Sequence, residues 1–168
     1  GFSWDSQADI PGSALLVQLR AVVSDGTSSD TTGCLVTVDV TNNASPSCLV
    51  GPSLAAGGGQ FLVTFTTQDP DVGDLLTVLV EYSQDGITYN PITVGTCGGT
   101  LTSNPQGGRV PGPETICWDS GADIPGFSNT VTIRVTLNDG LASSSAGCST
   151  AGQTVDNRPD CVSIVESS

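Results

Sequence analysis

Between residues 129 and 138 the chain alternates. Val131, Ile133, Val135 and Leu137 fall on one side of an extended segment, and Thr130, Thr132, Arg134 and Thr136 fall on the other. That period of two predicts a strand with one face in a core. Residues 75–83 alternate in the same way, and residues 60–67 form a short apolar-rich run. Asp85-Gly86 predicts a hairpin turn into a strand at 87–94, and residues 114–118 predict a short strand closing on Trp118. Asp139-Gly140 turns the chain toward a last strand near 152–156. No stretch carries helical periodicity with caps. The expected fold class is all-β.

The pattern also repeats. Trp4-Asp5-Ser6 with Ala8-Asp9-Ile10-Pro11-Gly12 recurs as Trp118-Asp119-Ser120 with Ala122-Asp123-Ile124-Pro125-Gly126, an offset of 118 − 4 = 114. The offset holds for Val17/Val131, Arg20/Arg134, Asp25/Asp139 and Cys34/Cys148. Asn43 keeps that offset from Asn157, and a deletion then brings Pro46 and Cys48 opposite Pro159 and Cys161, at 161 − 48 = 113. One full repeat therefore spans 48–161, the size of a β-sandwich module. Residues 1–47 match only its second half, and residues 162–168 stand where a further module would begin. The expected order is a partial module, a full module and a short tail.

Composition narrows the chemistry. Among 168 residues there are 17 acidic side chains, 4 arginines and no lysine or histidine, for a net charge of −13. Without histidine there is no Ser-His or Cys-His nucleophile pair and no imidazole metal ligand. Lysine chemistry is excluded likewise. The acidic excess argues against nucleic acid, whose phosphates need a basic surface, and for hard cations, above all calcium. No apolar run approaches the roughly 18 residues of a membrane span, so no membrane insertion is expected. Six cysteines without zinc-site spacing point to disulfides and an oxidising, extracellular or cell-surface location. By repeat equivalence, the simplest of their 15 pairings joins Cys34 to Cys48 and Cys148 to Cys161, leaving Cys97 for Cys117.

The series Tyr82-Ser83-Gln84-Asp85-Gly86, the Trp-Asp-Ser…Asp-Ile-Pro-Gly block, Val131-Thr132-Ile133-Arg134-Val135 and the closing Val155-Asp156-Asn157 with Pro159 resembles known repeats. They are the immunoglobulin-like or fibronectin type III-like tandem repeats of bacterial secreted and surface proteins. The resemblance implies an Ig-like or fibronectin III-like β-sandwich used as structure or spacer. Acidic residues gather where strands meet loops: Asp69-Pro70-Asp71 with Asp74, Asn42-Asn43 and Asp156-Asn157. This arrangement is similar to the junctions of cadherin repeats, which implies calcium held between modules. Asn42 and Asn43 would face Asp69 and Asp71, while Asp156 and Asn157 would await the same aspartates of a following copy. Aspartates before glycine, Asp25, Asp85 and Asp139, read as turn formers only.

Asp119-Ser120-Gly121-Ala122-Asp123 resembles the signature of retroviral-type aspartic peptidases, whose paired aspartates share a proton. The equivalent Asp5-Ser6-Gln7 lacks the glycine, Cys117 and Trp118 replace the expected apolar residues, and no Gly-Arg-Asp or Gly-Arg-Asn follows. A non-catalytic protein is expected. A partial module leaves Val17, Leu19, Ala21 and Val23 on an apolar face that needs cover. The available donor in the chain is the tail, with Val162, Ile164 and Val165. The expected function is therefore an extracellular filament subunit whose partners are copies of itself, joined head to tail by strand complementation. The alternative is a spacer or adhesion module from a large tandem-repeat bacterial surface protein.

Overall fold

The computed structural model describes residues 3–10, 12–30, 32–57, 59–71, 73–144 and 148–158. Their secondary structure is ten antiparallel strands and two single-turn helices, an all-β sandwich. The chain divides into two compact units, one of Gly1–Ala44 with Pro70–Val72 and one of Ser45–Asp69 with Gly73–Ser168.

The second unit has two layers. One sheet holds β3 (Ser47–Gly57), β4 (Gln60–Gln68) and β8 (Pro113–Trp118), in the order β3-β4-β8. The other runs β10 (Ser149–Asp156), β9 (Ser128–Asn138), β5 (Leu76–Ser83) and β6 (Asn90–Pro91), with β7 (Gln106–Arg109) also pairing with β5. Every other residue of β4, β5 and β9 points inward. Phe61, Val63 and Phe65 meet Leu76, Val78, Val80 and Tyr82, and β9 adds Val131, Ile133, Val135 and Leu137. Burial of each such side chain contributes about 1.5–3 kcal/mol. Trp118 is fully buried at the centre, with the rings of Tyr82 and Phe61 at 5.1 and 6.1 Å.

Two charged pairs are built into the sheets. Arg109 donates from Nε and Nη2 to the two carboxylate oxygens of buried Glu114, at 2.8 and 2.9 Å, and Thr100 Oγ1 donates to the same carboxylate. Arg134 donates from Nε to Glu81 at 2.8 Å while its guanidinium lies 3.6 Å over the Tyr89 ring. The hydrogen bond to each glutamate holds each guanidinium pKa above its ordinary value.

The first unit contains β1 (Gly12–Ala21) and β2 (Cys34–Asn42), paired as an antiparallel hairpin. Among the described residues β1 pairs with β2 alone. Its counterpart β9 pairs on both edges, with β10 and with β5.

Three expectations need correction. The strand expected at 87–94 shrinks to Asn90–Pro91, which pairs with Tyr82 and Glu81. The Asp85 carboxylate takes the N–H groups of Ile87 and Thr88 at 2.8 and 2.7 Å, and Pro91 has no N–H to give, so a ladder cannot run through. Single-turn helices appear where none was expected: α1 (Ser6–Asp9) and α2 (Ser120–Asp123), one in each copy of the repeated block. One turn is too short to leave a period in the sequence.

The third correction concerns the disulfides. Cys97 and Cys117 are bonded as expected, but Cys48 is bonded to Cys148, so neither Cys34–Cys48 nor Cys148–Cys161 forms. Cys48 opens β3 in one sheet and Cys148 immediately precedes β10 in the other, with Cα atoms 5.5 Å apart. The second unit thus closes on itself, from near the start of β3 to just before β10. Loop-closure entropy gives about 4.7 kcal/mol for this bond and about 3.3 for Cys97–Cys117. Cys34 is exposed and has no disulfide partner among the described residues, and Cys161 lies outside them.

Candidate functional site

The repeated Trp-Asp-Ser block folds identically in both copies. Asp119 accepts from Ala122 N at 3.1 Å and caps α2, and Asp5 caps α1 through Ala8 N at 3.3 Å. Trp118 Nε1 donates to Asp123 at 2.7 Å, and Trp4 Nε1 donates to Asp9 at 2.7 Å. Asp123 also accepts from Thr93 N and Oγ1, at 2.8 and 2.6 Å. The segment that resembles a peptidase signature forms a single helical turn in which Asp119 and Asp123 each accept from nearby donors.

An asparagine ties this block to the closing strand. Ser120 Oγ donates to Asn157 Oδ1 at 2.8 Å, and Asn157 Nδ2 donates to the carbonyl oxygens of Ser120 and Ile124. In the first unit Ser6 Oγ donates to Asn42 Oδ1 at 2.9 Å and Asn42 Nδ2 to the Ile10 carbonyl at 2.9 Å. Asn42, not Asn43, is therefore the counterpart of Asn157, at an offset of 157 − 42 = 115. A bulge between Thr150 and Gln153, with Gly152 at φ 72°, supplies the extra residue in β10. Asn42 and Asn157, two of the three asparagines expected as calcium ligands, use their amides to tie the turn to the closing strand.

The copies diverge in burial. Val17, Leu19 and Ala21 share a face of the hairpin with Val38, Val36 and Cys34 through the register Val17↔Val38, Leu19↔Val36 and Ala21↔Cys34. Val17, Leu19 and Val38 are half-buried, whereas Ala21, Cys34 and Val36 are exposed. Trp4, Leu19, Arg20, Ala21, Cys34 and Val36 line an open apolar pocket of about 450 Å³. The tail residues Val162, Ile164 and Val165 lie outside the described residues.

The acidic residues sort differently from the expected junction. Asp69 and Asp74 come together with Asp139, one oxygen of each lying within 4.8 Å of the others, all half-buried. Asp71 belongs to the first unit, where its Oδ2 accepts from Ala44 N at 2.7 Å; Asn43 is half-buried in that unit. Asp156 accepts from Arg158 Nε and Nη2 at 2.9 and 2.6 Å, and that guanidinium holds its carboxyl well below the usual range. Asp139 is a turn former by its sequence, yet it joins this cluster. Its Oδ1 does cap the turn, accepting from Leu141 N and Ala142 N, but its carboxylate also reaches the other two. No helix among the described residues is long and apolar enough to cross a membrane. Comparison with known proteins finds no family model, curated protein or solved structure that matches the chain.

Proposed function

We propose that the chain is a non-catalytic structural subunit of an extracellular filament, assembling head to tail by strand complementation. One observation carries this reading: among the described residues the partial module presents an apolar face, and its strand β1 pairs on one edge only, whereas its full counterpart β9 is buried and pairs on both. An open edge is a template for another strand, and a contact that is not self-complementary propagates. The two disulfides suit an oxidising exterior. The test is sedimentation and electron microscopy of the full chain at high concentration with calcium. Regular filaments are the expected result; a compact monomer throughout overturns the reading.

A second reading has its own support. The described strands of the first unit form one two-stranded sheet without a second layer. In a tandem-repeat surface protein of the kind the chain resembles, other strands of the same polypeptide would provide that layer. A parent reading frame with flanking copies of the repeat favours that spacer or adhesion role.

In either setting Asp69, Asp74 and Asp139 are the residues that would hold calcium. Oxygens within 4.8 Å of one another fit a common ion, whose ligand distances are about 2.3–2.6 Å. The ion would relieve the repulsion of three adjacent carboxylates. Calcium is expected to raise the melting temperature, and Asp74→Asn is expected to abolish the rise. Asp156→Asn should leave it intact. An unchanged melting temperature at millimolar calcium refutes the site.

A further inference from the structure

We infer that the apolar pocket of the first unit receives the tyrosine of an antiparallel strand that a second polypeptide lays along β1, a strand of the β5 kind with a glutamate set against Arg20. The inference rests on the strand-complementation reading above and names the donor. In the full module β5 fills that role beside β9, so the partial copy can be read against its own counterpart.

The two copies are equivalent in structure as well as in sequence. Asp30 N donates to the Val23 carbonyl at 2.9 Å, and Ser144 N donates to the Leu137 carbonyl at 2.8 Å, with 144 − 30 and 137 − 23 both 114. The pairs Leu19↔Val36 and Arg20↔Leu35 match Ile133↔Thr150 and Arg134↔Ser149. From Leu19 to Val23 the first unit is thus laid out as β9 is from Ile133 to Leu137. On its other edge β9 pairs with β5 through Val78↔Leu137, Val80↔Val135, Glu81↔Arg134 and Tyr82↔Ile133. Carried over to β1, that register sets a donor's residues opposite Val23, Ala21, Arg20 and Leu19. Among the described residues no strand pairs with this edge of β1.

Three features select the donor. Two alternate positions must be apolar, because they stand where Val78 and Val80 do and meet Val23, which is 67 % exposed, and Ala21. The next inward position takes an aromatic ring. Tyr82 is buried opposite Ile133 with its ring stacked 5.1 Å from Trp118. The matching residues Trp4 and Leu19, with Ala21 and Val36, line the pocket of about 450 Å³, and Asp9 holds the Trp4 ring as Asp123 holds that of Trp118. An aromatic side chain buries about 150–250 Å² and dominates the energetics of such a contact. The last feature is charge. Glu81 accepts from Arg134 Nε at 2.8 Å, and Arg20 brings a guanidinium to the corresponding place on β1. Opposite charges directly across a ladder stabilise it, and like charges oppose it. Main-chain bonds along the edge supply affinity, and the alternating side chains supply specificity.

The test uses the full chain and a fluorescent peptide of sequence Leu75–Ser83 fused to a soluble carrier domain, followed by anisotropy. Saturable binding is expected. Tyr82→Ala and Glu81→Arg in the peptide, and Trp4→Ala in the chain, should each weaken it about tenfold. Arg20→Glu in the chain should weaken the unaltered peptide equally and return the Glu81→Arg peptide to within about threefold of the starting affinity, a rescue that misfolding cannot give. A photoreactive benzoylphenylalanine in place of Tyr82 should crosslink to Trp4 or Leu19. Absence of binding, binding indifferent to the tyrosine and to the charge swap, or crosslinks confined to the second unit would overturn the inference. Regular filaments of a chain that binds no peptide overturn it and leave the filament reading standing. Binding by a chain that never polymerises does the reverse.

Discussion

The two copies of the repeat are an internal experiment on what a sandwich needs. Leu137 is fully buried; Val23, at the same place in the partial copy, is 67 % exposed. Trp118 is stacked on Tyr82 and tilted against Phe61 in the core, while Trp4 keeps the same hydrogen bond to its aspartate and is only half-buried. Local devices survive without the second layer: the aspartate-capped turn, the Trp–Asp bond and the Ser–Asn–carbonyl link all recur, and the hairpin register recurs only where Leu19↔Val36 and Arg20↔Leu35 match Ile133↔Thr150 and Arg134↔Ser149. Burial does not. Short-range hydrogen bonding is thus encoded within about 40 residues, whereas the core requires partners that β4, β5 and β8 bring from far along the chain.

The sharpest way to strain this comparison is to cut the long disulfide. Replacing Cys48 and Cys148 together by alanine should destabilise the second unit by up to about 4.7 kcal/mol in denaturant unfolding, against about 3.3 for Cys97 and Cys117. The reverse order would mean that loop length does not govern the effect. Trp118→Ala should cost about 3–5 kcal/mol, because it empties the centre of a packed core. Trp4→Ala in the monomer should cost under about 1; equal losses would deny that the partial copy is open. Arg109→Met should destabilise by roughly 3 kcal/mol, since it leaves the Glu114 carboxylate buried without its cation.

The smallest effect is in pH. Asp25 is lowered to about 2 by the N–H groups of Ser28 and Thr27, and Asp85 is lowered further by those of Thr88 and Ile87. Arg158 lowers Asp156. Depressed folded-state values mean that their stabilisation is complete above the unfolded pKa near 3.8 and is lost as pH falls through the folded values. Melting temperatures should therefore drop between about pH 4 and pH 2 as these groups protonate. Asp85→Asn should flatten that drop; an unchanged profile would contradict the turn geometry.

What the sequence revealed follows the physics of each element. β5 and β9 were legible because alternate residues serve one core and a period of two records that, while β4 was legible as a short apolar-rich run and β8 as a short strand closing on Trp118. β3 was not, since Gly51 and Pro52 interrupt it and two register shifts break its pairing with β4. β7 was not either, its four residues being Gln106, two glycines and Arg109. The disulfide scheme failed for a different reason. Repeats disclose which cysteines are equivalent, not which pairs face each other, and the facing pair here is 100 residues apart. At the acidic site Asp69 and Asp74 were legible as carboxylates beside a strand end. Asp139 was hidden because a turn aspartate advertises only the oxygen that caps the turn.

The bond from Cys48 to Cys148 also sets how a module bears load. Tension applied at its two ends enters near β3 and leaves near β10, and the sulfurs carry it straight across. The 100-residue span between them, about 350 Å if drawn out, is shielded from the pull. Such a module acts as a short inextensible link between its first strand and its last.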